Sequence, residues 1–237
     1  VLFSYIIDPF LLEPGRPLPH SHTHYWESLQ MAKTFVDLGY AVDVIHWSRK
    51  KPFVPAKKYD FYVDVRRNFE HIAPTLNPDC IEIVHLDTAH HIPFHEGQFR
   101  RLEDLKKRRG IDLPPFKLVE INKAIEMADY ATVLGNEYTI GTYAFANKPI
   151  VRIPISTPVD YPFPEGKDFE ACRKQFIWFG SEGFMHKGLD LVLEAFAGMP
   201  DFRLTVFGPI DREIRFEAAF YRELYKTPNI RTQGWVD

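Results

Sequence analysis

Short apolar runs alternate along the chain with segments whose apolar residues recur at three- and four-residue spacing, the signature of strands interleaved with helices. Residues 1–7 are apolar except for Ser4, as in a strand buried on both faces of a parallel sheet. A loop carrying Pro9, Pro14, Pro17 and Pro19 follows. Tyr25, Leu29, Ala32 and Val36 then recur at helical spacing, with Gly39 where a C-terminal cap belongs. Residues 41–47 return to strand, completing a βαβ unit. Residues 61–65 and 80–84 read as strands, and 100–109 as a charged helix stopped by Gly110. Residues 117–127 read as a helix, because Leu118, Ile121, Ala124, Ile125 and Ala128 share one face. A strand at 131–134, a short helix at 137–145 and a strand at 149–155 finish a doubly wound α/β domain over residues 1–156.

A linker at 157–174 contains Pro158, Pro162 and Pro164, and a second α/β pattern occupies 175–237. Its strands are expected at 176–179, 202–207 and 230–233. One helix presents Leu189, Val192, Leu193 and Phe196, and another runs over 212–224 with Asp211 as its N-cap. Three strands and two helices make half of a usual doubly wound domain, so an open edge and an uncovered sheet face are expected. The chain opens on Val1, already in a strand, and stops at Gly234-Trp235-Val236-Asp237 without a capping element. The expectation is a piece of a longer protein, trimmed at both ends.

Charge and composition narrow the function classes. The 237 residues include 29 basic and 32 acidic side chains, a net charge of −3, which argues against a nucleic-acid reader. No apolar run reaches the ~18–20 residues of a membrane span, and no basic segment precedes the first strand, so the expected location is cytoplasmic. Cys80 and Cys172 are far apart and form no CxxC pair; two reduced thiols are expected.

The most informative stretch is Phe179-Gly180-Ser181-Glu182-Gly183-Phe184-Met185-His186-Lys187-Gly188-Leu189-Asp190. A strand ends, a glycine-containing loop turns and a helix begins. Helix N-termini offer free N–H groups and a partial positive charge, and glycines let backbone approach an anion closely. Lys187 at such an end calls for something negative nearby, and a diphosphate would supply it. The spacing matches neither GxxxxGK[ST] nor GxGxxG. An ordinary strand-to-helix turn with an exposed lysine fits the same residues.

Gly180 with Lys187-Gly188-Leu189-Asp190-Leu191-Val192-Leu193-Glu194-Ala195-Phe196 resembles the G…KGxDxLLxAF element of GT-B glycosyltransferases of the group 1 (family 4) type. Residues 202–208 ending at Gly208 before Pro209 look like that family's strand ending in a glycine beside the nucleotide. Asn229-Ile230 with Gly234-Trp235-Val236 looks like its NI…GWV element. Ala128-Asp129-Tyr130-Ala131-Thr132-Val133 resembles its AD-x-[IV] strand. Ile153-Pro154 to Val159-Asp160 resembles IP-x-GVD, with Thr157 and Pro158 where Asn-Gly or Gly is usual. The resemblance implies two Rossmann-like lobes, the second incomplete here. The C-terminal lobe would hold a nucleotide-sugar donor and the N-terminal lobe most of the acceptor. It implies Lys187, Gly180, Ser181 and Gly208 at the donor. Ser181 stands where an arginine is usual, and the family's E-x₇-E carboxylates would lie beyond residue 237. It further implies a retaining transferase that needs no metal or cofactor, working in cell-surface glycan synthesis on a glycan, lipid-linked or small-molecule acceptor.

Nine of the ten histidines fall in the first domain, and most of them cluster. His20, His22 and His24 precede the first helix, and His85, His90, His91 and His95 follow a strand; both groups fall where open α/β sheets place ligands. His22, Thr23 and His24 form a candidate acceptor or phosphate loop. His90, with His91 as rival, matches the place where the family has a histidine at the donor sugar, and is the candidate catalytic residue. The spacing His20-x-His22-x-His24, with His85-x-Asp87, also suits a zinc hydrolase, without an HExxH signature. His46, His71 and His95 read as solvated or packed. Arg100, Arg101, Lys106, Lys107, Arg108 and Arg109 fit peripheral contact at the inner membrane face or with a lipid-linked acceptor, while Glu103 and Asp104 fit a solvated helix face. A non-catalytic binding protein that keeps the fold is the remaining alternative, favoured by Ser181.

Overall fold

The computed structural model describes residues 1–49 and 51–236. The chain divides into two compact units, residues 1–93 with 120–161, and residues 94–119 with 162–237. The sequence boundary at 156 had placed 94–119 with the first lobe; the structure groups that segment with the second unit.

In chain order the elements are β1 (Leu2–Tyr5), α1 (Thr23–Asp37), β2 (Asp43–His46), β3 (Phe61–Asp64), α2 (Phe69–Ile72), β4 (Ile81–Leu86), α3 (His91–Arg109), α4 (Ala124–Met127), β5 (Tyr130–Leu134), α5 (Glu137–Gly141) and β6 (Ile150–Ile153). They continue with α6 (Phe169–Cys172), β7 (Gln175–Phe179), α7 (Leu189–Ala197), β8 (Arg203–Phe207), α8 (Ile214–Ala219), α9 (Tyr221–Lys226) and β9 (Ile230–Gly234).

The first unit is a parallel sheet in the order β2-β1-β3-β4-β5-β6. Alternate residues feed two cores, one on each face. Leu2, Tyr62, Val84, Ala131 and Val133 join one core, and Val1, Phe3, Tyr5, Val63 and Val65 the other. A sheet filled on both faces explains why its strands read as continuous apolar runs. The chain moves outward from β1 in both directions, so the order reverses between β1 and β3, the crevice where open α/β sheets bind ligands.

Helix α1 ends as its sequence predicts. Gly39 has φ of +90°, its N–H donates to the Val36 carbonyl at 2.9 Å, and the N–H of Tyr40 reaches back to Phe35 at 3.0 Å. These are the two bonds of a Schellman cap, and a left-handed residue is what they require.

The second unit is a parallel sheet in the order β7-β8-β9. Its core gathers on one face from Trp178, Leu204, Val206 and Ile230, against Leu105 of α3, Leu189 and Leu193 of α7, and Phe216, Phe220 and Leu224. On the alternate positions Ile177 is 70% and Phe179 73% exposed, so the expected uncovered face is present.

Several elements differ from their sequence expectation for local reasons. The helix expected over 117–127 is reduced to α4. The Val119 carbonyl is taken by the His95 ring at 3.0 Å, the Lys123 N–H by Glu70 at 2.7 Å, and Asn122 Oδ1 accepts the Ala124 N–H. These groups satisfy the backbone outside a helix, and Ile121 stays exposed. Helix α3 starts nine residues before the expected 100, because Pro93 falls in its first turn, where no N–H is needed. The helix expected over 212–224 is broken at Glu213 and Phe220 into a 3-10 turn, α8 and α9. Asp211 lies inside that turn and caps nothing. Within the linker at 157–174, α6 forms with the Asp168 carboxylate accepting the Ala171 N–H at 2.9 Å. Among the described residues no helix is long and apolar enough to cross a membrane.

Candidate functional site

In the second unit the loop from Gly180 to Gly188 leaves the carboxyl end of β7. Gly180 and Gly208 lie on adjacent strands at that end. The Gly180 N–H bonds the Phe207 carbonyl, a Cβ on Gly180 would collide with the Trp178 ring, and a Cβ on Gly208 would collide with the Gly180 carbonyl oxygen. Both positions therefore require the absence of a side chain. Lys187 folds back over the loop, and its Nζ donates to the Ser181 carbonyl at 3.1 Å and to Ser181 Oγ at 2.7 Å. Ser181, in the place where the resemblance calls for arginine, thus holds the lysine in position.

Three further cationic or imidazole groups converge on this loop. A Cβ on Gly183 would come within 3.1 Å of Lys117 Cδ, and one on Gly188 within 4.0 Å of an Arg101 guanidinium nitrogen. His186 accepts from the buried amide of Gln98 at Nδ1. Burial lowers the Lys187 pKa, and the charge of Lys117 lowers it further. Burial likewise lowers His186, aided by Arg101, Lys117 and Lys187. A neutral His186 whose Nδ1 accepts carries its proton on Nε2, so the ring is a donor there. Lys117 and Arg101 have no carboxylate partner among the described residues. Lys117 and Arg101 gathered here without carboxylate partners of their own raise the local potential for an anion, while Glu213 and Glu182 act on Lys187 in the opposite sense.

Besides Glu182, which lies in the loop and pairs with Arg212 at 3.0 Å, a second acid enters it. The Glu213 carboxylate accepts the N–H groups of Gly183 and Phe184. Burial pushes its pKa up, and those two amides oppose the rise. These amides therefore already serve an internal carboxylate, and the charged side chains are what remains for an incoming anion. Asp190, within the same motif, is a structural acid. It is buried and receives Arg108 Nη2 at 2.8 Å, while Arg108 Nε binds Glu194 at 2.8 Å. In the basic run, Lys106 pairs with Asp112, Lys107 with Glu103 and Arg109 with Glu223, so much of its charge is spent inside the unit. Asn229 of the NI element is structural too; its Nδ2 reaches the carbonyls of Phe196, Met199 and Phe202.

In the first unit, a cavity of about 130 Å³ opens at the reversal of strand order, lined by Tyr5, His22, His24, Trp47, Arg66, Arg67 and Asp87. His22 is the N-cap of α1, its Nδ1 accepting the His24 N–H at 3.2 Å. Burial lowers the His22 pKa, and neighbouring His24 adds to it. Thr23 is the first residue of α1, so the three loop positions singled out by sequence sit together at the helix N-terminus. Arg66 has φ of +63°, uncommon for a non-glycine residue, and its guanidinium is fixed to Asp87 by bonds of 3.0 and 2.6 Å. The Arg67 guanidinium lies 3.9 Å over the Trp47 ring.

Beneath the cavity is a buried polar chain. Tyr5 Oη donates to Glu27 Oε1 at 2.7 Å, His85 Nε2 meets the same oxygen at 2.9 Å, and His85 Nδ1 meets Thr132 Oγ1 at 2.8 Å. Burial alone would raise Glu27, but the bonds from His85 and Tyr5 hold its pKa below the ordinary value. His90, the candidate catalytic residue, is buried with its ring edge-on to Tyr143 and Phe145 and beside His91. Burial lowers its pKa, with His91 adding to the effect. Of the candidate zinc ligands, His22, His24 and Asp87 line this cavity, but His85 is bound to Glu27 and Asp87 to Arg66, and no group of three His, Cys, Asp or Glu side chains suited to a metal occurs among the described residues.

The sequence points to the two loops and to Arg101 as part of a basic run, but not to Arg101 at this loop, nor to Lys117, Glu213 or the Arg66–Arg67 pair. The arginines follow directly on a strand expected at 61–65, so the rule that ligands sit at strand carboxyl ends pointed to them. Lys117 carries no local signal, and the basic run around Arg101 does not tie it to this loop. No protein-family model matches the chain, and a comparison with curated proteins finds no match.

Proposed function

We propose that this chain is the acceptor-side lobe and part of the donor-side lobe of a GT-B glycosyltransferase of the group 1 (family 4) type, moving a sugar from a nucleotide diphosphate donor to an acceptor hydroxyl. One observation carries the reading: Lys117, Lys187 and Arg101 surround a strand-to-helix loop at the carboxyl end of a parallel sheet, with Lys117 and Arg101 lacking acidic partners among the described residues. Such a group suits two adjacent phosphates better than a single carboxylate.

In this reading Lys187, steadied by Ser181, and Lys117 balance the charge that grows on the leaving diphosphate, which is the largest contribution a transferase of this kind makes. Gly180 and Gly208 keep the strand ends free of side chains, so that the donor reaches the loop. The Nε2–H of His186 adds a neutral donor. The pocket of the first unit, with His22, Thr23 and His24 at the helix N-terminus and Arg66 and Arg67 beside it, is the acceptor side. His90 would meet the donor sugar, by resemblance to the family. The leaving phosphate itself assists deprotonation of the acceptor, as expected of a retaining enzyme, and no cofactor is required.

A second reading, a binding protein without catalysis, is favoured by Glu213, whose carboxylate occupies the loop amides of Gly183 and Phe184. Calorimetric titration with UDP and GDP separates the cases. Saturable binding that weakens about tenfold or more in Lys187→Ala supports the donor site, since a charge-assisted bond contributes ~1.5–3 kcal/mol. Unchanged affinity in that variant removes the role given to Lys187. Sugar release from the corresponding nucleotide sugars then tells catalysis from binding.

A further inference from the structure

A cavity in the second unit lies beside the cationic loop, sharing Gly183, His186 and Lys117 with it, but is otherwise mostly apolar. It measures about 420 Å³, within the range of about 300–1,000 Å³ typical of small-molecule sites. Its walls are Leu102, Leu113, Phe116, Met185, Ile214 and Phe216. Met185 and Phe216 form a buried floor, whereas Phe116 is 51% and Ile214 72% exposed at the opening. Apolar side chains left open around a formed cavity mark a site for an apolar partner.

Three of the polar groups on the walls are already committed. The Gln98 amide is bonded to His186, the Glu213 carboxylate serves the Gly183 and Phe184 amides, and Arg212 pairs with Glu182 at 3.0 Å. A nucleobase placed here would lose its bonds to water along its polar edges and gain few in return, a costly exchange. A hydrocarbon body loses nothing of that kind. Charge at the rim is one-sided: Lys117 and Arg215 line the cavity and have no carboxylate partner among the described residues.

We propose that this cavity binds a single-chain amphiphilic phosphate, its aliphatic chain between Leu102, Leu113, Met185 and Phe216 and its phosphate at Lys117 beside the loop. A cavity of this volume takes one chain, not a bilayer surface. The inference goes beyond the nucleotide reading, because the chain-binding walls take no part in the donor site.

Decyl phosphate, titrated into the chain below its micelle concentration, tests it. Saturable one-to-one binding is expected, with inorganic phosphate and decanol each bound at least about tenfold more weakly, since each lacks one half of the recognition. Leu113→Trp, which fills the cavity, is expected to weaken decyl phosphate by about tenfold or more and leave UDP affinity unchanged, while Lys117→Gln weakens decyl phosphate comparably. Circular dichroism of both variants verifies the fold, and Ile214→Trp, at a more exposed wall position, replaces any variant that fails it. Absence of saturable binding, affinity indifferent to the filling and Lys117→Gln variants, or capture only by phosphatidylglycerol vesicles overturns the proposal. Decyl phosphate bound without UDP or GDP upholds it while the donor reading fails; nucleotide bound without decyl phosphate does the reverse.

Discussion

Asp64 offers the sharpest test of the first unit's interior. It ends β3 in register with Ser4 of β1, at the reversal of strand order and two residues before Arg66. Its side chain is fully buried; Oδ2 accepts the Asn68 N–H at 3.1 Å, and Oδ1 has no partner. Burial pushes its pKa up to about 7 from 3.8, against the opposing influence of Ser4, the amides of Asn68 and Phe69, and Arg66. The folded-state value is raised, so the native protein holds a proton that the unfolded chain releases. The contribution is fully present below pH 3.8 and is lost as pH rises to about 7. A rise of about three pH units at ~1.36 kcal/mol each sets an upper scale on the order of 4 kcal/mol. Asp64→Asn keeps the shape and removes the titration. The variant is expected to gain on the native protein steadily between pH 4 and 8, by up to that amount. Urea unfolding, with hydrogen exchange of β1 and β3 peptides as the readout of this unit, measures the difference at each pH. A difference that stays flat within ~1 kcal/mol over that range, or that turns against the variant as pH rises, refutes the argument.

Other substitutions probe separate links. Leu193→Ala empties a fully buried position in the second core and is expected to cost ~2–5 kcal/mol in denaturant unfolding of that unit. Gly208→Ala forces a Cβ onto the Gly180 carbonyl and should lower the melting temperature, whereas Gly198→Ala, whose nearest contact would be 3.5 Å, should not. Glu27→Leu strands Tyr5 Oη and His85 Nε2 in the interior, costing roughly 1–3 kcal/mol for each at neutral pH. The native Glu27 pKa is depressed, so its contribution is present above the ordinary glutamate range and fades as pH falls through the folded value; acid titration of unfolding should show the variant's deficit shrinking. Asn229→Ala releases three carbonyls around the end of α7 and is expected to loosen hydrogen-exchange protection there first.

The legible parts of this molecule are those written in local pattern. Runs such as 1–7 and 61–65 announce strands because both faces of the sheet are filled, and Gly39 announces a cap because its two bonds need a left-handed residue. Residues 117–123 mislead because their apolar spacing is helical, while their backbone groups are claimed by His95 and Glu70, far away in sequence. The same distance hides the site. Lys187 stands out beside its glycines, but Lys117 and Arg101 meet it only through the packing of α3 and the segment after it onto the second sheet. Glu213 reads as one more charge on a helix until its carboxylate is seen to close on the loop, at the junction between the 3-10 turn and α8. The KGxD motif likewise divides on inspection, its lysine facing the loop and its aspartate anchored to Arg108.

A crystal structure of this chain with UDP or GDP bears most directly on the central claim. The account predicts the two phosphates at the Gly180–Gly188 loop, within hydrogen-bond reach of the Lys187 and Lys117 ammonium groups. Nucleotide bound elsewhere, with the loop still closed on Glu213 and Lys187 still bonded to Ser181 alone, would contradict it.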